Sequence, residues 1–254
     1  MVIGDRAVKR NLSKVNEDIL LDEQREQAEE LPVNRFVGTH LKDIEKKRCR
    51  VKLPPKYRYL LKISGTYGFL AGGAVRYLLM KNVKIKSDDF DFYAYTPEGR
   101  AALHERFIDA GFRDVSVNVN AWNLKKGNTK IQIIKSFAGP IERVIDEFDF
   151  TICRVATDGK FIYRDKDFYR HCRKKLLVLK TIQCPVGAIR RLVKYSKKGF
   201  WISNLQIVRL YEDYVNRGDI YRQKLTSFLE KQAENGKLDQ REFEELEAIL
   251  IKID

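Results

Sequence analysis

Two aspartates, Asp89 and Asp91, lie two positions apart in the segment DDFDFYAYT, where acidic or small residues alternate with aromatic ones. This alternation predicts a β-strand on which both carboxylates project from one face, about 6–7 Å apart along the chain. Such a pair suits Mg²⁺, because hard divalent cations prefer oxygen ligands. Two metal ions at this kind of site can activate an attacking hydroxyl and stabilise a leaving phosphate oxygen. A solvated strand edge has the same spacing, so the surrounding residues decide between the two interpretations.

A pair of glycines, Gly72 and Gly73, lies upstream between an apolar segment typical of a strand and a segment with helical spacing. Glycines let the backbone approach a phosphate closely, and the N–H groups that open a helix can donate to it. Arg76, one turn further, could add a charge-assisted contact. The unit predicts a phosphate-binding turn, with a purely architectural turn as the alternative.

A third carboxylate, Asp149, lies in the segment EFDFT, which also reads as a strand. It could complete a metal site, contact ribose hydroxyls, or only satisfy backbone donors at the end of the strand. These three interpretations stay open.

A basic stretch follows in the helical segment PVGAIRRLVKYSKKGF. Helical spacing places most of its cations on one side, with aromatic residues close by. Such a surface can bind phosphates of an RNA backbone and stack an unpaired base, although a plain solvated helix face is the alternative. The candidate RNA-binding residues are Arg190, Arg191, Lys194, Lys197 and Lys198.

The charge balance of the 254 residues favours a polyanionic partner, because 49 Lys and Arg against 35 Asp and Glu give a net charge of +14. Nucleic acid is expected ahead of a membrane surface. The four cysteines form no C-x-x-C pair, which argues against a zinc site. Because neither a secretion signal nor an apolar run of about 18 residues is recognisable, we expect a cytoplasmic protein with free thiols and no membrane partner.

The elements that must position these residues fall into three parts. Residues 1–53 are dense in charge and predict a helical arm, residues 54–165 mix strands with helices, and residues 166–254 are helical throughout. The candidate carboxylates and the glycine turn all lie in the middle part.

The motifs of the middle part resemble a known family. The stretch Gly72-Gly73-Ala74-Val75-Arg76, followed by Asp89-Phe90-Asp91-Phe92, resembles the G-G-x-V-R … D-I-D-F signature of the DNA polymerase beta-like nucleotidyltransferase superfamily. The resemblance is to the head domain of class II CCA-adding enzymes and bacterial poly(A) polymerases. Two later segments, FDFTIC at 148–153 and IRRLVKY at 189–195, are similar to further motifs of that family, so about residues 55–200 are covered.

The departures from the family pattern point to a divergent member. The family's base-reading set E-D-x-x-R maps onto Cys184, Pro185 and Ala188, and Gln132 stands where related enzymes often have a third metal-site carboxylate. The chain also resembles nucleotidyltransferase-like proteins carried by phages and other mobile elements. We therefore do not expect a CCA-adding enzyme proper.

The resemblance implies an α/β nucleotidyltransferase head, a mixed sheet with flanking helices, followed by an all-helical module. It implies transfer of a nucleoside monophosphate from an NTP to an acceptor hydroxyl, most simply an RNA 3′ end such as that of a tRNA. Asp89 and Asp91 would hold two Mg²⁺ ions, and Asp149 would take part in catalysis or nucleotide binding. The other nucleotide-binding residues would be Gly72, Gly73 and Arg76.

Two alternatives remain at this point. One is a toxin-like or modifying enzyme of the same superfamily that acts on a tRNA, a protein or a small molecule. The other is an inactive nucleic-acid-binding module that keeps the fold, which the loss of the base-reading set would permit.

Overall fold

The computed structural model describes residues 43–80, 89–218, 222–223 and 226. Most of the predicted N-terminal arm, and the helices predicted near the C-terminus, lie outside the described residues. Within the described part, no helix is long and apolar enough to cross a membrane.

An eight-stranded mixed sheet forms the centre of the described part. Its strands follow the order β1-β8-β7-β2-β3-β6-β5-β4, and every neighbouring pair is antiparallel except β3 and β6. The strands are β1 (Ile44–Arg48), β2 (Gly68–Ala71), β3 (Phe90–Ala94), β4 (Arg113–Val117), β5 (Ala121–Lys126), β6 (Thr129–Ala138), β7 (Val155–Thr157) and β8 (Phe161–Asp165). Residues 44–48 therefore form an edge strand where the sequence predicts part of a helical arm.

Seven helices surround the sheet in the described part. They are α1 (Pro55–Ser64), α2 (Gly73–Leu79), α3 (Gly99–Asp109), α4 (Ile141–Asp146), α5 (Phe168–Lys174), α6 (Pro185–Ser196) and α7 (Asn204–Asn216). Pro55 and Pro185 occupy first helical positions, where no N–H donor is needed. A mixed sheet with flanking helices confirms the fold class. The module after residue 165 also contains two short parallel strands, β9 (Leu176–Leu177) and β10 (Trp201–Ile202).

The two faces of the sheet carry different cores because successive side chains of a strand point to opposite faces. Leu70 and Phe92 belong to the larger core, which also receives residues of α1, α2, α3, α5 and α6. Phe69 and Tyr93 belong to a smaller core that is covered by α4. This second face also carries Asp91, which lies between the smaller core and the exposed half of the sheet.

A buried ion-pair group ties α4 to the edge of the sheet. The side chain of Arg154 is fully buried and contacts the carboxylates of Asp146 and Asp165. Lys180 extends the group to Asp43, which lies immediately before β1, at 2.7 Å. Charges removed from water need such partners, since an unpaired buried charge is strongly destabilising.

Candidate active site

The two candidate metal ligands meet at the start of β3. Asp91 is paired with Ala71 on one side and with Gln132 on the other, and Asp89 comes one residue before the strand. Burial and the neighbouring charge of Asp89 raise the pKa of Asp91 to about 6, while the positive charges of Lys194 and Arg76 oppose this shift. Burial is the larger cause of this shift, and repulsion between the two carboxylates is the second.

The glycine turn lies directly beside this carboxylate. Gly72 has a φ of +70°, and its N–H donates to the Val155 carbonyl at 2.8 Å. A Cβ atom built on Gly72 would lie 3.7 Å from Oδ2 of Asp91. The sequence therefore needs glycine here for its backbone conformation, and a side chain would point toward the carboxylate.

Arg76 does not fit the expected direct contact with a nucleotide phosphate. The residue is only 3% exposed, and its guanidinium donates to the Ile152 carbonyl at 3.2 Å and to the Tyr195 hydroxyl at 3.1 Å. The same guanidinium lies 4.8 Å from the centre of the Tyr195 ring. Arg76 therefore connects α6 to the head through its hydrogen bond to Tyr195. Its buried charge also acts on the carboxylate of Asp91.

Asp149 is paired with a residue of the predicted RNA-binding set. Its Oδ2 accepts a hydrogen bond from Nε of Arg191 at 2.5 Å, and its Oδ1 accepts one from the backbone N–H of Phe150 at 2.9 Å. Asp149 is 5% exposed, so both of its oxygens are engaged in the protein. This arrangement favours a role in positioning Arg191 over that of a third metal ligand.

The remaining basic residues of α6 and the turn after it lie at different depths. Lys194 and Lys197 are exposed, whereas Arg190 and Lys198 are half-buried. The positive charge of Lys194 opposes the upward shift of the pKa of Asp91. The helix that the sequence assigns to RNA binding thus also contributes positive charge to the candidate active site.

The positions of the missing base-reading set are buried. Cys184 and Ala188 are almost completely enclosed, and Pro185 is buried between them. Side chains at these three positions cannot hydrogen-bond to an incoming base.

A pair of amide side chains continues the row that starts at Asp91. Gln132 lies opposite Asp91 on one side and Asn123 on the other, and its Nε2 donates to Oδ1 of Asn123 at 2.8 Å. Sequence reasoning singled out Gln132 but missed Asn123. The signal was available in the alternating segments on either side of the Lys-Lys-Gly-Asn sequence at 125–128, because an antiparallel register across a turn there pairs the two residues.

The fit to a divalent metal rests on the donor set. Among the described residues, no group of three or more His, Cys, Asp or Glu could hold a metal ion. The carboxylates of Asp89 and Asp91 nevertheless fit Mg²⁺, which commonly uses one or two carboxylates and takes its other oxygens from water and substrate phosphates. The two carboxylates repel each other, and a bound cation would reduce this repulsion.

The fold is that of nucleotidyltransferase head domains. One solved structure of a CCA-adding enzyme without substrate matches with a TM-score of 0.52 and 20% identity, over 70% of this chain and 47% of that one. A tRNA-processing enzyme, also in an apo form, matches with a TM-score of 0.51 and 17% identity, over 80% of this chain and 58% of that one.

The sequence also matches one particular protein family, which is a more specific finding than the shared fold. Residues 34–175 match the model of the Gabija anti-defense 2 family, so the chain belongs to that family. A curated relative, "Gabija anti-defense 2" of Bacillus phage SPbetaL7, is 27% identical over 145 residues. The match covers 56% of this chain but only 36% of the relative. The phage relative agrees with the expected divergent, phage-type member of the superfamily.

Proposed function

We propose that the protein is a Mg²⁺-dependent nucleotidyltransferase that moves a nucleoside monophosphate from an NTP to an acceptor hydroxyl and releases pyrophosphate. The observation that carries the proposal is the juxtaposition of Asp89 and Asp91 with the Gly72 turn on one face of the sheet. Strand, glycine turn and acidic strand together supply carboxylate ligands beside a backbone that a phosphate can approach.

The side chains around the carboxylates support binding of a triphosphate. Asp89 and Asp91 would hold Mg²⁺, which when bound lowers the pKa of an acceptor hydroxyl and stabilises negative charge on phosphate oxygens. Arg191, held by Asp149, and Lys194, whose charge acts on Asp91, would neutralise the charge of the triphosphate. Gly72 and Gly73 would let the phosphates approach the start of α2.

The acceptor that fits the charge of the molecule best is the 3′ end of an RNA, such as a tRNA. The net charge of +14 favours a polyanion. Arg190, Lys197 and Lys198 would contact the RNA backbone from α6 and the turn after it. The buried base-reading positions indicate that base selection does not follow the pattern of CCA-adding enzymes.

A second candidate function is favoured by the family. Its name states an action against a defence called Gabija. The same transfer could therefore modify a protein, a tRNA or a small molecule on which that defence depends. In this case the chemistry of the site would be unchanged and only the acceptor would differ.

The experiment that tests both candidates offers the protein each labelled NTP with Mg²⁺, together with total RNA or with extract of bacteria carrying Gabija. We expect label in RNase-sensitive material for an RNA acceptor and in protease-sensitive material for a protein acceptor. Asp89→Asn and Asp91→Asn should each reduce transfer at least 100-fold, since each removes a charged metal ligand. The matched control is Asp109→Asn, an exposed aspartate on α3, which should leave transfer unchanged.

Two results would contradict the proposal. Transfer at the wild-type rate in both aspartate variants would remove the carboxylates from the mechanism. A folded wild-type protein that labels no acceptor with any NTP, yet binds RNA, would favour the inactive nucleic-acid-binding module.

A further inference from the structure

A second row of side chains crosses the exposed half of the sheet beside the row of Asp91. Lys130 lies opposite Lys125, and Lys125 lies opposite Arg113, so one cation stands on each of β6, β5 and β4. Phe90, the first residue of β3, pairs with Ile131, so the row ends beside the start of β3, which Asp89 precedes by one residue. Because neighbouring strands are about 4.8 Å apart, the three Cα positions span about 10 Å and lead to the candidate metal ligands.

Without a bound anion, this row of like charges destabilises the folded protein. Like charges that are directly opposite in an antiparallel pair repel each other. All three cations are exposed, and none is in an ion pair within the described ranges. Lys126, on the opposite face, is different because its ammonium donates to the Tyr59 hydroxyl and the Ala110 carbonyl.

Uncharged polar groups fill the space between this row and Asp91. Gln132 and Asn123 are half-buried and joined by their hydrogen bond, and exposed Ser116 is paired with Asn123. The helix α4 packs against the other half of this face, over β2, β3, β7 and β8. The exposed half thus combines cations with amide and hydroxyl groups, which suits phosphates and sugars.

We propose that this surface binds the phosphodiester backbone of a single-stranded nucleic acid whose end reaches Asp91. The surface, called the β4–β6 track, comprises Arg113, Ser116, Asn123, Lys125, Lys130 and Gln132. The cations contact phosphates, and the amide pair orients the last nucleotide beside the carboxylates. The identity of that nucleotide as the acceptor rests on the proposed function, whereas the binding itself does not.

Charge complementarity favours a nucleic acid over an acidic protein. The three cations repeat at the regular spacing of the strands, and the other three residues of the track are uncharged and polar, whereas protein partners are usually anchored by aromatic or other large side chains. A backbone bound in this way is contacted without reading its sequence, so RNA and DNA strands of mixed sequence should both bind.

The test measures binding of labelled single-stranded RNA and DNA to the full chain without NTP or Mg²⁺, over a range of salt concentrations. The variant R113S/K125S/K130S should flatten the dependence of log affinity on log salt by about 2, since each phosphate contact to a single strand contributes about 0.7. The ratio of the wild-type affinity to the affinity of the variant should then fall about 20-fold between 50 and 200 mM salt.

The matched control is R58S/K62S/K160S, which removes the same charge from exposed positions away from the track. It should keep most of the wild-type salt slope. The track variant should also be at least as heat-stable as the wild type, because it removes like charges that face each other. A lower stability would mean that the three cations serve the fold.

A second variant tests the amide pair through kinetics. N123L/Q132M should raise KM for the acceptor at least 10-fold and leave KM for the NTP unchanged. Unchanged salt slopes in the track variant, or binding of an acidic protein in place of either nucleic acid, would overturn the proposal. If transfer fails while strand binding depends on the track as described, the track stands and the proposed function fails.

Discussion

At the scale of single residues, the site depends on the space between a backbone turn and a carboxylate. Gly72 adopts a positive φ that side chains rarely tolerate, and the atom it lacks would face Asp91. Two requirements therefore meet at one position, one for backbone conformation and one for room beside the carboxylate. The two requirements can be tested separately, because Gly127 also has a positive φ but has free space at its Cβ position.

Replacement of Gly72 by alanine should lower kcat/KM at least 10-fold for the folded enzyme. The new Cβ would occupy the space 3.7 Å from Oδ2 of Asp91, where phosphate and metal must approach. The strained backbone should also cost about 1–3 kcal/mol of stability, so activity must be expressed per folded protein at a temperature well below unfolding.

The control for this prediction is Gly127→Ala in the turn between β5 and β6. Gly127 has a φ of +54°, and nothing lies within 4 Å of the position that its Cβ would take. The Gly127→Ala protein should be less stable than the wild type but should keep the wild-type kcat/KM for the NTP. Equal catalytic losses in the two variants would mean that backbone strain alone explains the effect at Gly72.

At the scale of elements, the structure shows how α6 is fastened to the head. Arg76 of α2 and Tyr195 of α6 form a buried contact in which the Tyr195 hydroxyl accepts from Arg76 and from the Cys153 thiol. The ring of Tyr195 also packs edge-on against Phe150 and Phe200. Because α6 carries Arg191 and Lys194, this contact sets where those cations stand.

The change Tyr195→Phe keeps the ring and removes the hydroxyl that Arg76 uses. Hydrogen bonds to charged groups contribute about 1.5–3 kcal/mol, so the free energy of unfolding should fall by about that amount. Denaturant unfolding measures the loss. Tyr211→Phe, at an exposed position of α7, should leave stability within about 0.5 kcal/mol of wild type. If Tyr195→Phe is as stable as wild type, the hydroxyl does not hold α6.

The sequence was informative where the site is built from neighbouring elements. Asp91, Gly72 and the strands that carry them follow one another within a short stretch, so periodicity and motif spacing were sufficient to bring them together. The pairing of Arg191 with Asp149 joins residues 42 positions apart, and it depends on how α6 packs. The burial of Arg76 depends on the same packing, which a local pattern does not contain.

Edge strands were harder to predict for a different reason. In β1 the side chains of Glu45, Lys46 and Lys47 are all polar, so the alternation that marks a half-buried strand is absent. Its pairing with β8 comes from backbone hydrogen bonds and from contacts such as Lys46 with the Phe161 ring. Composition alone therefore favoured a charged arm.

At the scale of the whole molecule, stability depends on charges placed deep inside. Arg154 lies between Asp146 at the end of α4 and Asp165 at the end of β8, and the side chains of Arg154 and Asp165 are completely enclosed. Arg154 therefore compensates one carboxylate from a helix and one from a strand, and Lys180 adds a second cation 3.9 Å from Asp165.

Arg154→Leu should lower the free energy of unfolding by about 3–5 kcal/mol, because it removes the cation that contacts Asp146 and, among the described cations, leaves buried Asp165 with only Lys180 at 3.9 Å. Chemical denaturation at neutral pH is the measurement. Adding Asp146→Asn and Asp165→Asn to the same protein should recover part of the loss, since neutral amides cost less to bury than charges. No recovery would assign the effect to lost packing volume.

The position of β1 has a consequence for shortened versions of the protein. β1 covers the outer backbone groups of β8, and the preceding Asp43 is held by Lys166 and Lys180. A chain that began after Arg48 would leave the N–H and C=O groups of β8 open to strands of other molecules, the usual route to self-association through sheet edges. A soluble head domain must therefore be cut on the N-terminal side of Asp43.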